Sequence, residues 1–415
     1  MALEYSAARG ALVSGYARAF CRAAVALTLL LAPLPMYASD HADPVDIWNR
    51  KRLEGGITDL FFFPRTDEQG VRRMELILCV RRALTEAGSL ILEPYTYTIY
   101  MDLKSTVTFD NDEQLKRYGG TVVRPDNITP TVTIPIRLTD KAELAATPKY
   151  EGLAGDLSRI KIATGIFDDP FIFPTFFGTN IVGMILSIPL DAFPPDQENW
   201  VLWATSTENG KQVDHVGRSL RTQNPRFDML NTLPPNQHVK AIAAERLHPS
   251  LMRDLALRIN LQGTFAFRDW DEVPDVMLYS KRSPVGFPNG RLLTDDVAER
   301  LATYGDTLLK EISHITGKWP RATKNDMPFR LTAATCRGAA DPLPPQCDQS
   351  VPENLAFPYL ADPWPEKKGK PPYALTEASQ LKLWGIALAI VILLVLENWL
   401  VALWYHRKKL RERFL

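Results

Sequence analysis

The chain has 415 residues, with 48 Lys and Arg balanced by 48 Asp and Glu, 46% hydrophobic residues and four cysteines. That hydrophobic fraction excludes a disordered chain, and four cysteines over this length exclude a disulfide scaffold. No basic excess points to nucleic acid, so the partners to expect are lipid, protein or small molecules.

The N-terminus carries Arg9, Arg18 and Arg22, then an apolar run from Ala23 to Ala32, then Pro33 to Ala38. A positive region, a short apolar stretch and a small residue at a polar boundary make a secretory signal peptide, here 1–38. Ten apolar residues fall short of the roughly 20 a bilayer requires. Met36 leaves the cleavage position open, and an uncleaved N-terminal anchor is the alternative.

Strand signals dominate the next stretch. Met74–Val80 is short and apolar, and Tyr95–Met101 alternates aromatic or aliphatic residues with Thr, the period of a half-buried strand. Thr106–Phe109, Thr121–Val123, Thr131–Ile136, Ile181–Ile188 and Trp200–Thr205 continue the pattern. Asp110-Asn111-Asp112, Pro125-Asp126-Asn127, Pro194-Pro195-Asp196 and Asn209-Gly210 punctuate it as turns. The fold class this predicts is mainly β, an antiparallel sandwich with helical additions, over 39–341. Cys79, inside an apolar strand, reads as a buried free thiol.

The helical additions follow. Val239–Leu247 and Leu251–Ile259 read as two helices hinged at His248-Pro249. Thr294–Ile315 has one apolar stripe, Val297, Leu301, Tyr304, Leu308, Ile312 and Ile315. Thr294 is placed to cap it, with Asp295 and Asp296 in a first turn that favours negative charge.

Residues 342–380 are Pro-rich and read as an extended tether. Cys336 and Cys347 flank its start, and outside the cytoplasm a disulfide between them would stabilise by up to about 3 kcal/mol. Residues 381–405 then read as a transmembrane helix. Its apolar stretch 383–405 would run about 34 Å, enough to cross a bilayer with some tilt. Trp384, Trp399, Trp404 and Tyr405 lie towards its ends as interface anchors. Glu397 and Asn398 interrupt it. Glu397 is either an intramembrane contact or a group that snorkels to the nearby interface.

The tail, 406–415, is strongly basic, and by the positive-inside rule it is cytoplasmic. The expected location is therefore a bacterial inner membrane, crossed once, with the main domain in the periplasm. The leader holds three Arg and one Glu, and 383–415 holds five basic and two acidic residues. Taking these from 48 of each leaves 40 basic and 45 acidic residues in the exported part.

Signals for chemistry are sparse. The sequence contains no HExxH, GxSxG, GxGxxG, P-loop or CxxC, and its six histidines show no ligand spacing. Polar clusters do stand out at Ser39–Pro44, Ile57–Pro64 and Phe167–Pro174. His41, Asp43, Asp59, Asp168, Asp169 and Asp214 form an oxygen-rich candidate set for a metal, with Ca²⁺ the ion such ligands suit. The competing reading has Asp168 and Asp169 capping backbone N–H groups in a turn between strands, with the aromatics as core.

Six motifs, in order, carry a family resemblance: Ser39-Asp40-His41, Ile57–Phe63, Phe167–Phe173, Val213–Arg218, Asn289–Val297 and Phe357–Leu360. Together they resemble a bacterial exported family, domain of unknown function 4331, over about 39–362. The resemblance implies one integrated β-rich exported domain and supplies no catalytic residue. The chain departs from the family in its Tyr97–Phe109 stretch, which lacks an Asp/Gly-rich turn after the strand, and in its added tether and C-terminal span. The functional expectation is a membrane-tethered binding or scaffolding module with an envelope protein partner. The alternative is a metal-dependent domain or enzyme built on the Asp and His set.

Overall fold

The computed structural model describes residues 47, 52–84, 90–170, 180–218, 225–248, 272–293, 295, 357–360, 363 and positions 388, 392, 395, 396, 399 and 401–403. The expected leader, His41, Asp43, the helix at 251–259, the helix at 294–315 apart from Asp295, Cys336, Cys347, Glu397 and Asn398 lie outside these residues.

Two antiparallel sheets make up the domain. The first joins β1 (Ile57–Thr66), β2 (Arg72–Leu84), β8 (Asn180–Pro189) and β7 (Lys161–Asp168), in that spatial order. The second runs β10 (Lys211–Val216), β9 (Asn199–Glu208), β3 (Tyr95–Asp102) and β6 (Val132–Ile136). The short strand β11 (Met277–Ser280) pairs with the first half of β9, on the edge whose second half holds β10. A separate ribbon of β4 (Val107–Thr108) and β5 (Thr121–Val122) brackets the helix α1 (Asp112–Tyr118).

Strand alternation explains how the sheets pack. Leu60, Phe62, Leu76, Leu78, Met184 and Leu186 of the first sheet share one apolar core with Tyr97, Ile99, Ile134, Trp200 and Leu202 of the second. At its centre Trp200 stacks on Phe193 with ring centroids 4.6 Å apart and meets Tyr279 at 5.4 Å. Aromatic pairs of this kind contribute about 0.5–1.5 kcal/mol beyond their buried area.

Both sheets carry apolar cover on their outward sides, over different stretches. On the first sheet, Phe61, Phe63, Ile77, Ile181 and Ile185 are covered by Leu293, Tyr359 and Leu360 in a second apolar cluster. β8 is consequently buried at every position. The Pro-rich stretch thus packs on the sheet at 357–360. Tyr359 holds a positive φ of 71°, its ring set edge-on against Phe63 at 6.1 Å and beneath the Arg65 guanidinium at 5.0 Å. β6 instead alternates buried and half-buried residues, as a strand with one covered face does.

Local chemistry places the ends of these elements. Asn209 and Gly210 both have positive φ, 51° and 78°, and turn β9 into β10 as a tight hairpin. Asn111, expected in a turn, is the N-cap of α1: its carboxamide accepts from the N–H groups of Glu113 and Gln114. The predicted helix at 239–247 is α2 (Pro235–Leu247), which starts earlier because Pro235 sits in its first turn, where a missing N–H costs nothing. Among the described residues no helix is long and apolar enough to cross a membrane. The described positions of the expected span are helical, and Leu388, Ile392, Val395, Leu396, Trp399, Val401 and Leu403 are exposed.

One buried ion pair fixes the 286–295 segment to β1. Arg291 Nη1 donates to Asp59 Oδ1 at 3.0 Å, with both side chains at most 2% exposed. Its backbone meanwhile exchanges both hydrogen bonds with Phe62, at 3.1 and 3.0 Å. Burial pulls the Arg291 guanidinium down to a pKa of about 9, with the Asp295 carboxylate opposing, so it stays charged at neutral pH. Removing one member of a buried pair strands the other charge. Asp59→Ala is expected to destabilise by about 3–5 kcal/mol in urea unfolding followed by tryptophan fluorescence. The double replacement Asp59→Leu with Arg291→Met should recover most of that loss.

Candidate functional site

The candidate site lies on the outer side of the second sheet, where β10 ends and the chain leads into β11. It begins with a close approach. A Cβ on Gly217 would lie 2.2 Å from the Asp275 carbonyl oxygen and 2.5 Å from Val276 Cα. Only glycine lets these two stretches of backbone touch.

Asp275 is the hub of the contact. It is fully buried, and its Oδ1 accepts from the Arg218 N–H at 2.8 Å. Its Oδ2 lies 3.7 Å from His215 Nε2, and the same ring nitrogen is 2.7 Å from the Asp275 carbonyl oxygen. Its N–H donates to His238 Nδ1 at 3.1 Å. Burial pushes the Asp275 carboxyl up, but its neighbours His215, Arg218 and His238 and the hydrogen bond from the Arg218 N–H outweigh it, leaving the group below its ordinary pKa.

The two histidines sit edge-to-face with ring centroids 4.8 Å apart, both fully buried. The protonation of His238 follows from its partners. Nδ1 accepts a backbone N–H and so carries no proton, while Nε2, 2.9 Å from the Leu233 carbonyl oxygen, must donate. His238 is therefore the neutral Nε2–H tautomer, and it ties α2 to the segment before β11.

Arg218 carries the network to the surface of the fold. Its guanidinium lies 3.8 Å from the centroid of the Tyr118 ring and donates through Nη2 to the Pro274 carbonyl oxygen. A cation held this way against an aromatic face and out of water gains about 2 kcal/mol. Beyond it opens a small cleft of about 50 Å³. Gln114, Tyr118, Thr121, Arg218 and Glu272 supply its polar lining, with Val276 and Leu278 among its apolar residues. Glu272 is paired with Arg246 of α2 at 2.7 Å, a second tie between that helix and the cleft.

The sequence-predicted metal candidates fall in different surroundings. Asp59 is committed to Arg291. Asp214 is buried on β10, where Oδ2 accepts the Ile57 N–H at 2.7 Å and Oδ1 the His215 N–H at 2.9 Å. It fastens the start of β1 to the second sheet. Asp168 ends β7, paired in register with Asn180, and Asp169 follows it as a buried residue. Asp59 and Asp169 do share a neighbour. Burial raises the Cys79 thiol well above its ordinary pKa, and both carboxylates add to the rise. Among the described residues no three His, Cys, Asp or Glu side chains are grouped to hold a metal ion.

No family model and no curated protein matches the chain. Among solved structures, one similar chain is a carbohydrate binding module family 9 from Caldicellulosiruptor kristjanssonii in complex with cellotriose. The identity is 13%, the match covers 43% of this chain and 76% of that one, and the TM-score is 0.18. At that TM-score the likeness carries no argument about fold or ligand.

The motifs behind the family resemblance can still be followed. The described parts of Ile57–Phe63, Asn289–Val297 and Phe357–Leu360 meet on the outer side of the first sheet. Val213–Arg218 supplies Asp214, His215, Gly217 and Arg218. Sequence reasoning singled out Asp214 but missed His215, His238, Asp275 and Arg218 as one group, since they are brought together only by the β10–β9–β11 arrangement.

Gly217→Ala is expected to be the most damaging glycine substitution near the site. Its Cβ meets backbone, which cannot rotate aside, so the loss should reach the upper end of the 1–3 kcal/mol typical of overpacking. Thermal unfolding measures it. Gly210→Ala, at a turn with nothing within 4 Å of its Cβ, is the control that isolates backbone strain from collision.

Proposed function

We propose that this protein is a binding module of the bacterial cell envelope, exported by its N-terminal leader and tethered to the membrane by its C-terminal helix. The observation that carries the binding part is the cleft beside Arg218. It has a charged and amide lining on an apolar floor, and its walls are held by buried hydrogen bonds. Convergent polar groups on a rigid concave surface are the usual form of a recognition site. The sheet behind the cleft is rigid for the same reason: β9 is paired on both edges, to β3 on one and to β10 and β11 on the other.

The tether reading is supported by the two ends of the sequence, and by apolar positions from Leu388 to Leu403 that are helical and exposed, as a helix surrounded by lipid presents them. The tether would keep the module at the membrane surface, where a low-affinity contact gains from a high local concentration.

A photo-crosslinking amino acid at Thr121, in the cleft, should capture a partner or ligand in native membranes, while the same group at Gly70, in the β1–β2 turn, should not. Identical adducts from both positions would remove the binding reading. A reporter active only outside the cytoplasm should be active when fused after residue 363 and inactive after residue 415; the reverse pattern would overturn the topology.

A further inference from the structure

We infer that the His238–Asp275 contact is an acid-released latch that holds α2 against the cleft and frees it as the pH falls. This rests on the reading of the cleft as a binding site, whose regulation it describes.

The argument starts from the direction of one hydrogen bond. His238 Nδ1 accepts the Asp275 N–H at 3.1 Å, and Nε2 gives its proton to the Leu233 carbonyl at 2.9 Å. An imidazole in this position has no free lone pair. A second proton would have to go on Nδ1, where it would face another N–H. The locked state therefore refuses a proton that a hydrated histidine accepts below about pH 6.5.

The charged groups around the ring come from several elements. From β10 and the residues after it come Asp214, His215 and Arg218, and from the segment before β11 come Glu272 and Asp275. On α2 stand Lys240, Glu245 and Arg246; Asp228 lies on the helical turn at 225–232, and Asp126, with Arg124 just before it, on the one at 125–127, and α2 packs against both turns. The Asp275 carboxylate attracts positive charge on either ring, so what opposes a proton on His238 is geometry: it would cost the hydrogen bond that Nδ1 accepts. The carboxylate lies 3.7 Å from Nε2 of His215, while towards His238 the same residue presents its N–H. His215, 4.8 Å away by ring centroid, cannot share its charge with His238 without repulsion. Protonation of His238 is thus opposed in the closed state and unopposed once α2 swings away.

Release would act on the cleft directly. α2 is fastened to the lining segment by the His238–Asp275 bond and by the Arg246–Glu272 ion pair, and Glu272 and Pro274 both line the cleft. By linkage, one proton bound only in the open state makes opening about tenfold more favourable for each pH unit below the histidine's ordinary range. Above that range the latch is fully closed.

The test is hydrogen exchange on the full chain in detergent at pH 7.5, 6.5 and 5.5, corrected for the intrinsic pH dependence of amide exchange. Protection over 235–247 and 273–277 should fall about tenfold per pH unit below pH 6.5, with β2 and β8 unchanged. His238→Asn, which offers an acceptor that does not titrate, should flatten the profile. No slope in the wild-type chain, or a slope that survives in H238N, overturns the latch. If H238N does not fold, the wild-type profile decides alone. Crosslinking from Thr121 at pH 7.5 and 5.5 separates this from the binding reading. A slope in exchange with no capture at either pH supports the latch and removes the binding site. Equal capture at both pH values with no slope supports the site and overturns the latch.

Discussion

The candidate site depends on one backbone contact. The chain before β11 passes Gly217 so closely that no side chain fits between them, and that proximity lets Asp275 reach three elements at once. Its carboxylate holds the Arg218 N–H, its carbonyl oxygen meets His215, and its N–H holds His238. Pull this segment away and Arg218 loses its place over Tyr118, α2 loses its hydrogen-bonded attachment, and the cleft loses a wall. The contact is local in space and distant in sequence, since Asp275 stands 57 positions from Arg218 and 37 from His238.

The first sheet has a counterpart with a different outcome. Asp59 and Arg291 are 232 positions apart, and both are withdrawn from water. Taking two charges out of water costs several kcal/mol each, so such a pair adds little net stability over an apolar one. What it does add is register. Arg291 can satisfy Asp59 only when its own backbone is paired with Phe62, so the ion pair and the bridge select the same docking of the 286–295 segment. The Asp275 network differs because two of its members are histidines. Histidine as a residue type titrates near neutral pH, whereas a carboxylate paired with a guanidinium stays ionised. The first pair is a fixed rivet, and the second is a joint that can respond to its surroundings.

Much of the strand content could be read from pattern. Tyr95–Met101 alternates and is β3, with one residue more; Ile181–Ile188 is continuously apolar and is β8, covered on both faces. The misses have physical causes. β1 begins with Ile57-Thr58-Asp59, where a buried charge breaks the expected alternation, and only Arg291 makes that charge tolerable. β10 is Lys211-Gln212-Val213-Asp214-His215-Val216, polar at four of six positions, and its buried Asp and His bond to backbone groups that no local window contains. α1 looked like a turn because Asn111 is equally at home in a turn and at an N-cap. The site was illegible for the same reason as β10. Its residues become a group only through a hydrogen-bond network that spans the second sheet and α2.

The asymmetry of the two sheets indicates where function belongs. The first sheet is apolar on both sides, and its outward side is sealed by Leu293, Tyr359 and Leu360, so a ligand there would have to displace core. The second sheet buries Val201 and Trp203 of its outward side against Val122 and Ile128 and leaves Thr96, Thr133 and Thr207 half-buried there, with the cleft and α2 at one end. The sealing segment 357–360 lies within the Pro-rich stretch 342–380, expected to be extended, and there it packs on the first sheet as part of its cover.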